Sequence, residues 1–139
     1  MPDSLNATFP LEVLRDRLIP TLFQENQAEI TYWAGKSLAL TETFGSETEI
    51  MDFFTTAGFG YLEVVKTATT HSEWRLSGDI VDARVLNATD ASFSLEAGFL
   101  AQALETLFDR PVEVTSELSR KKDSVTLQAL IGEANNDFI

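Results

Sequence analysis

Cysteine is absent from the 139-residue sequence, and histidine occurs only once. The lack of cysteine excludes disulfides, thiolate metal sites, a cysteine nucleophile and S-acylation. One histidine cannot complete the usual ligand set of a zinc site, and His71 lies in a predicted polar turn without the surroundings of a catalytic serine. We therefore predict no catalytic residue, no metal and no cofactor.

Basic residues are scarce, because 10 lysines and arginines stand against 22 acidic residues and give a net charge of −12. A field of this sign repels phosphate backbones and anionic lipid headgroups. The one dense basic run, Arg120 to Lys122, is flanked by Glu117 and Asp123, so we interpret it as a solvated hairpin turn. We expect no nucleic-acid partner.

Long hydrophobic runs are also missing. No stretch approaches the roughly 18 to 20 apolar residues of a membrane-spanning helix, and Met1 to Asn6 lack the basic and apolar regions of a signal peptide. We expect a cytoplasmic protein without membrane insertion. A hydrophobic content of 44% is enough for one core. We therefore predict a single domain over 1–139, with its core at about 10–131 and a frayed tail over 132–139.

Helical apolar periodicity begins near the N-terminus. A first helix is predicted from about 10 to 19, with Leu11, Leu14 and Leu18 on one stripe and Pro20 ending the helix.

A second helix is predicted from about 23 to 40, and it has two distinct faces. The face predicted to meet the core carries Ile30, Trp33, Ala34 and Leu38. The opposite face carries Tyr32, Gly35, Lys36 and Ala39. Because Gly35 costs about 1 kcal/mol relative to alanine in a helix interior, this face is interpreted as a second packed surface, against another helix or another protomer.

Two further helices follow. Ser46 and Glu49 form a capping box that begins the third helix, and Gly58 closes it. The fourth helix, from about 92 to 108, is the most hydrophobic element. Glu96 falls at the edge of its apolar face, in the first turn, where the helix dipole stabilises a negative charge.

Strand character dominates two other regions. Residues 61–70 and 73–86 are predicted as one hairpin, and residues 112–118 and 125–131 as a second. The inward-facing phase of the second strand slips by one residue at Gly78, which we interpret as a β-bulge or kink. The expected fold is a two-layer α+β domain of order α-α-α-β-β-α-β-β, in which helices cover an antiparallel four-stranded sheet.

Several segments resemble a known family when they are taken together. They are the Tyr-Trp-Ala-Gly-Lys run at 32–36, Phe53-Phe54 with Gly58-Phe59-Gly60, Leu76-Ser77-Gly78, and Leu-Glu-Ala-Gly-Phe-Leu-Ala at 95–101. These segments resemble the YslB-like family of unknown function from low-GC Gram-positive bacteria. That family is distantly similar to 4-vinyl reductase-type domains, haem nitric-oxide binding domains and TRAPP subunits.

The resemblance implies the helix and strand order given above, and an apolar-ligand site between helices and sheet in some members of the wider group. It also implies dimerisation through helices in many of them. This sequence lacks the cysteines of the vinyl-reductase type, the acylated cysteine of TRAPP subunits and a helical histidine for haem. The resemblance therefore supports the fold and leaves the activity open.

We hypothesise a non-enzymatic module that binds a small molecule or a protein and forms a homodimer. The candidate interface is Tyr32, Gly35, Lys36 and Ala39. The alternative is a receptor for an apolar small molecule, with a candidate pocket formed by Trp33, Phe53, Phe54, Trp74, Phe93, Glu96 and Phe99. An enzyme with a carboxylate-based site is a third reading, and it requires Glu96 and Arg84 to be buried together beside an open cleft.

Overall fold

A computed structural model describes residues 3–88, 90–119 and 124–133, with the backbone alone for residues 3–7. The helical elements are α1 (Asp3–Val13), a π-helical segment (Leu14–Leu18), α2 (Ile19–Phe23), a 3₁₀ turn (Gln24–Asn26), α3 (Gln27–Ala39), α4 (Glu47–Thr56), α5 (Asp79–Asn87) and α6 (Ser94–Phe108). The strands are β1 (Tyr61–Thr67), β2 (His71–Ser77), β3 (Val112–Ser119) and β4 (Ser124–Ile131).

The four strands form one antiparallel sheet in the order β1-β2-β4-β3. Alternate residues are buried along most of β2 and β4 and in the first half of β3, as the two-residue repeat of a half-buried sheet requires, whereas β1 buries Leu62 alone. The buried set is Leu62, Ser72, Trp74, Leu76, Val112, Val114, Ser124, Val125, Leu127, Ala129 and Ile131. Helices cover this face, so the predicted two-layer α+β fold with an antiparallel four-stranded sheet is confirmed.

The N-terminal helix is longer than predicted and faces the other way. It continues through Pro20 to Phe23, because the wider π-helical segment lies where the proline ring would otherwise clash with the preceding turn. Leu14 and Leu18, predicted to point inward, are exposed, whereas Glu12 is buried. Polar residues of this helix therefore face the protein. The prediction of an inward leucine stripe was wrong for Leu14 and Leu18, whereas Leu11 is half-buried and packs against the core.

Helix α3 is also reversed relative to the prediction. Its apolar face is exposed, with Trp33 61% and Leu38 47% accessible, and its small-residue face packs on α6. A methyl group added at Gly35 would fall on the Leu95 carbonyl oxygen and 2.8 Å from the Phe99 nitrogen. A methyl group added at Gly98 would fall on the Tyr32 carbonyl oxygen. The two glycines allow the backbones of α3 and α6 to approach closely. This contact decides which face of α3 is buried.

The predicted strand over 73–86 is two elements. Strand β2 ends at Ser77, and α5 begins at Asp79 after Gly78, whose φ is 109°. The change of apolar phase at Gly78 therefore marks the start of a helix, and the predicted bulge there was wrong. An irregularity in register occurs instead in β1, between Val64 and Lys66. The element order gains one helix between the two hairpins.

The predicted starts of the third and fourth helices agree with the structure, although the capping box is only half formed. The Ser46 hydroxyl accepts a hydrogen bond from the Glu49 amide at 3.3 Å, and α4 follows at once. The Glu49 carboxylate accepts from the Gly45 amide rather than from the Ser46 amide that a capping box uses. Helix α6 begins within two residues of the predicted start and ends at Phe108.

Some predictions fall outside the described residues. They concern the basic run 120–122 and the tail 134–139. Within the described ranges, no helix is both long and apolar enough to cross a bilayer.

Candidate functional site

Four charged side chains meet beneath the N-terminal helix. The Arg15 guanidinium donates to both Glu96 oxygens, at 2.8 Å and 2.6 Å, in a bidentate pair. Arg84 donates from Nη1 to Glu96 Oε2 at 3.3 Å. Its Nε and Nη2 atoms donate to the Asp16 carboxylate at 2.9 to 3.1 Å. We call Arg15, Asp16, Arg84 and Glu96 the charge quartet.

The quartet is deeply buried. The Glu96 side chain is 0% exposed and Arg84 is 1% exposed. Arg84 also donates to the Ser92 carbonyl oxygen at 2.6 Å, and its guanidinium carbon lies 4.2 Å from the centre of the Phe93 ring. Two positive and two negative charges balance, so the core carries no net charge here.

The electrostatics keep Glu96 ionised. Burial by itself raises the pKa of the Glu96 carboxyl, but the charge and hydrogen bonds of Arg15 and the charge of Arg84 outweigh it and hold the pKa below its ordinary value. Burial likewise lowers the pKa of Arg15, and the adjacent Glu96 carboxylate raises it above its usual value. Each group stabilises the charged form of the other.

Three elements position the quartet. The π-helical segment supplies the adjacent residues Arg15 and Asp16, α5 supplies Arg84, and the first turn of α6 supplies Glu96. The buried Glu12 extends the polar contact, because its carboxylate accepts from the Asn87 side-chain amide at 2.8 Å. The network therefore joins the N-terminal helix to α5 and α6.

The chemistry of the quartet is that of a structural clamp. Both Glu96 oxygens accept from arginines, and the side chain has no measurable exposure to solvent. The structure brings Glu96 and Arg84 together, as the enzyme reading required. A crevice of about 200 Å³ opens beside the quartet at Asp16, and Glu96 is not among the residues that line it. The described chain also holds no group of three or more His, Cys, Asp or Glu side chains suited to a metal ion.

Sequence reasoning named Glu96 and Arg84 but missed Arg15 and Asp16. The sequence pattern placed Arg84 on a strand. Asp16 is 68 residues from Arg84 in the sequence, and Arg15 is 81 residues from Glu96. A usable signal was present, since Glu12, Arg15 and Asp16 share one helical face at i, i+3, i+4 spacing. That face carries both acidic and basic side chains. Such a mixture is expected where a helix packs against buried residues of opposite charge.

The candidate pocket residues are mostly core. Phe54, Trp74, Phe93 and Phe99 are fully or almost fully buried. Phe53 and Phe99 stack with ring centres 4.8 Å apart, and neighbouring phenylalanine rings pack edge-on around Phe99. These rings fill the space between helices and sheet with each other. Trp33 belongs to no interior pocket, because it is exposed on α3.

The candidate interface lies inside the chain. Gly35 and Ala39 are buried against α6, so the other-helix alternative fits the structure and a contact between protomers at these residues does not. The Tyr32 hydroxyl accepts from the Val114 amide at 3.2 Å. The Lys36 ammonium lies 3.9 Å from the Glu105 carboxylate. The sequence identified a packed helix face and left two partners open, and the structure has the first of them, another helix of the same chain, α6.

Because α3 buries the face opposite to the predicted one, its apolar face is exposed to solvent. It consists of Ile30, Trp33, Ala34, Ser37 and Leu38, all of them solvent-exposed. These residues repeat at i, i+3, i+4, i+7 and i+8, which is the pattern of a helix face that packs against a partner. We call these five residues the outer stripe.

Two of the surface crevices bear on function. One, of about 340 Å³, lies between α1, the end of α4 and the start of α5, and is lined by Thr8, Leu11, Thr55, Gly58, Gly60, Tyr61, Gly78, Asp79 and Ile80. The other, of about 350 Å³, lies beside the edge strand β3 and is lined by Ala28, Glu29, Tyr32, Trp33, Ser94, Ala97, Val114, Thr115 and Ser116.

The chain therefore has an α+β fold in which helices cover one face of an antiparallel sheet. 4-Vinyl reductase-type domains share this fold. The chain belongs to the family described as Protein of unknown function (DUF2507), whose model matches residues 8–130. It is 31% identical over 123 residues to the uncharacterized protein YslB of Bacillus subtilis, across 88% of this chain and 82% of that protein. The predicted family resemblance is confirmed.

Solved structures support the fold. A vinyl-4-reductase family protein from Methanocaldococcus jannaschii superposes with a TM-score of 0.58 at 19% identity, over 96% of this chain and 83% of that one. The phenol-responsive sensory domain of the transcription activator PoxR with phenol gives 0.57 at 15% identity, over 89% of this chain and 74% of that one. At these identities the similarity concerns the architecture alone.

Proposed function

We propose that this chain is a non-enzymatic binding module that forms a homodimer through the outer stripe of α3. The observation that carries the proposal is a helix whose large apolar residues, Ile30, Trp33 and Leu38, all face solvent. Contiguous apolar surface of this kind is typical of protein contact sites. The state of Glu96 supports the non-enzymatic part, because a buried carboxylate held by two arginines offers no free oxygen to a substrate.

A second copy of the chain is an occupant that fits an uncharged face. Each copy carries a net charge of −12, so two copies repel each other, and an uncharged contact surface adds no close pair of like charges to that repulsion. The outer stripe contains no charged residue, and a two-fold contact would place it against itself.

The size of the surface sets a further requirement. Helix α3 is about 20 Å long and 10 Å wide, which falls short of the roughly 800 Å² per partner of a standard interface. Leu22, 61% exposed on α2, lies next to the start of α3 and extends the apolar surface. Leu14 and Leu18 continue the exposed apolar side of the N-terminal helix. We infer that these leucines take part in the contact.

Sedimentation velocity tests the dimer with two matched substitutions. Leu38→Lys places a charge in the outer stripe, and Leu130→Lys places the same charge at an exposed leucine on the open face of the sheet. We expect the wild type and Leu130→Lys to sediment as dimers and Leu38→Lys as a folded monomer. A monomeric wild type, or equal behaviour of the two variants, would refute the proposal.

The crevice at the end of α4 favours a second candidate function, binding of an apolar small molecule. It is lined in part by three glycines with positive φ, Gly58, Gly60 and Gly78, together with the apolar side chains of Leu11 and Ile80. The PoxR domain, solved with phenol, supplies a probe. Titration calorimetry with phenol should show binding to the wild type and to Thr56→Trp, but not to Thr55→Trp, because Thr55 lines the crevice and the adjacent exposed Thr56 does not. Absence of binding to the wild type would refute this function.

A further inference from the structure

Strand β3 is an edge of the sheet, and half of that edge is closed by side chains. The Val112 amide donates to Glu105 Oε1 at 3.2 Å, and the Val114 amide donates to the Tyr32 hydroxyl at 3.2 Å. Both amides therefore point away from the partner strand β4. Such caps satisfy edge groups that would otherwise pair with another chain.

The other half of the edge is open. Amides of an antiparallel strand point to the same side at every second residue, so those of Ser116 and Leu118 also face outward. Among the described residues, neither amide donates to a side chain as Val112 and Val114 do. Thr115 to Glu117 are exposed. A short stretch of strand is thus available for main-chain pairing.

The crevice of about 350 Å³ lies beside this open stretch. Val114, Thr115 and Ser116 form its strand side, and Tyr32 and Trp33 form its helix side. A strand added to β3 would lie about 4.8 Å away. Its alternate side chains would then enter the crevice and contact the indole of Trp33, which gives a hydrophobic residue a place to bind.

The charged residues that line the crevice or lie on β3 itself are acidic, whereas the Lys36 ammonium lies 5.3 Å from the centre of the Trp33 ring and the basic run 120–122 follows β3 in the sequence. Glu29 lines the crevice, and Glu113 and Glu117 are exposed on the strand. Lys36, the basic side chain near this region, is already close to Glu105. The lining residues include no lysine or arginine. An incoming segment that carries lysine or arginine would therefore be favoured by the local field as well as by the net charge.

We propose that the open half of β3 and its crevice bind an extended basic peptide segment, which adds a fifth strand to the sheet and places a hydrophobic side chain against Trp33. Main-chain pairing supplies affinity in this mode, and the crevice supplies selectivity. The site shares Trp33 with the outer stripe, so a bound peptide and a second copy of the chain would compete for that side chain, while the rest of the peptide site lies at the edge of the sheet.

Fluorescence anisotropy with a labelled peptide of alternating lysine and valine tests the proposal. We expect binding to the wild type that weakens as salt is raised, and no binding of a glutamate and valine peptide. Ser116→Pro removes the outward amide without removing a bond to β4 and should weaken binding about tenfold. Ser116→Ala keeps the amide and should bind like the wild type. Leu38→Lys should also retain binding, which separates this site from the dimer contact.

Hydrogen exchange locates the bound peptide. We expect added protection at the amides of Ser116 and Leu118, and none when the peptide is N-methylated at alternate residues and cannot pair as a strand. Binding that Ser116→Pro leaves unchanged, or protection confined to other amides, would overturn the proposal. Failure of the monomeric Leu38→Lys variant, in which no second copy covers Trp33, to bind the basic peptide would overturn it as well.

Discussion

Replacing Glu96 with glutamine should destabilise the fold severely, because it removes one charge from a buried quartet. The variant keeps the size of the side chain but leaves Arg15 and Arg84 with a single carboxylate, that of Asp16. Breaking a buried ion pair by removing one partner costs about 3 to 5 kcal/mol. The same loss corresponds to a fall in melting temperature of about 10 °C or more for a chain of this size.

An exposed pair provides the matched control. Arg75 donates to Glu63 Oε1 at 2.6 Å, the same distance that joins Arg15 to Glu96, but both side chains are well exposed. Exposed pairs contribute about 0 to 1 kcal/mol. Glu63→Gln should therefore leave the free energy of unfolding almost unchanged. Urea denaturation of both variants separates the effect of burial from the effect of pairing.

The free energy of unfolding at acid pH should also depend on Glu96. The pKa of Glu96 is lower in the folded than in the unfolded protein, so its contribution is complete above the ordinary value of about 4.3. It is lost as the pH falls from there through the folded pKa. The difference between wild type and Glu96→Gln should accordingly shrink as the pH is lowered.

One result would refute this reasoning. If Glu96→Gln and Glu63→Gln lose similar free energy at neutral pH, burial of the quartet does not decide its contribution. Should Glu96→Gln fail to fold, Arg15→Gln gives a second measurement on the same pair, and it should again lose far more than Arg75→Gln.

Two further predictions concern the helices. Gly35→Ala should cost about 1 to 3 kcal/mol in urea denaturation, because the new methyl group meets the backbone of α6, although alanine is the better helix former. Gly45→Ala, which meets only the flexible Glu49 side chain, should change stability little, and an equal or stabilising effect of Gly35→Ala would contradict the close packing. Ser46→Ala should cost about 1 kcal/mol through loss of the helix cap, while Thr48→Ala on the exposed side of α4 should be near neutral. Thermal unfolding checks this pair, and equal losses would argue against the cap.

The sequence predicted correctly the helices and strands that depend on residues close together in the chain. The capping residue Ser46 and the inward spacing of Ile50 and Phe54 fixed α4, and two-residue alternation fixed β4. The alternation of apolar residues shifts by one position at Gly78, which is where the strand ends and α5 begins. Such a shift alone does not distinguish a bulge from the start of a helix. Val81 and Val85, four residues apart, fit the helix as well as a bent strand.

Contacts between distant segments decided what the sequence could not. Large apolar residues usually face inward, so Trp33 and Leu38 were assigned to the core. The buried face of α3 was instead decided by Gly98, which is 63 positions after Gly35 and whose pairing with α3 leaves no trace in local spacing. The partners of Arg84 and Glu96 were hidden for the same reason.

The charge quartet also fixes the N-terminal helix along its own axis. A helix held by apolar contacts alone can slide by a turn and find similar neighbours, because one aliphatic surface resembles the next. A shift of one turn moves each side chain by about 5.4 Å, which would separate Arg15 from Glu96 and Asp16 from Arg84 at once. Charges in the interior thus give this segment a single permitted alignment, and with it a single set of leucines presented to the outside.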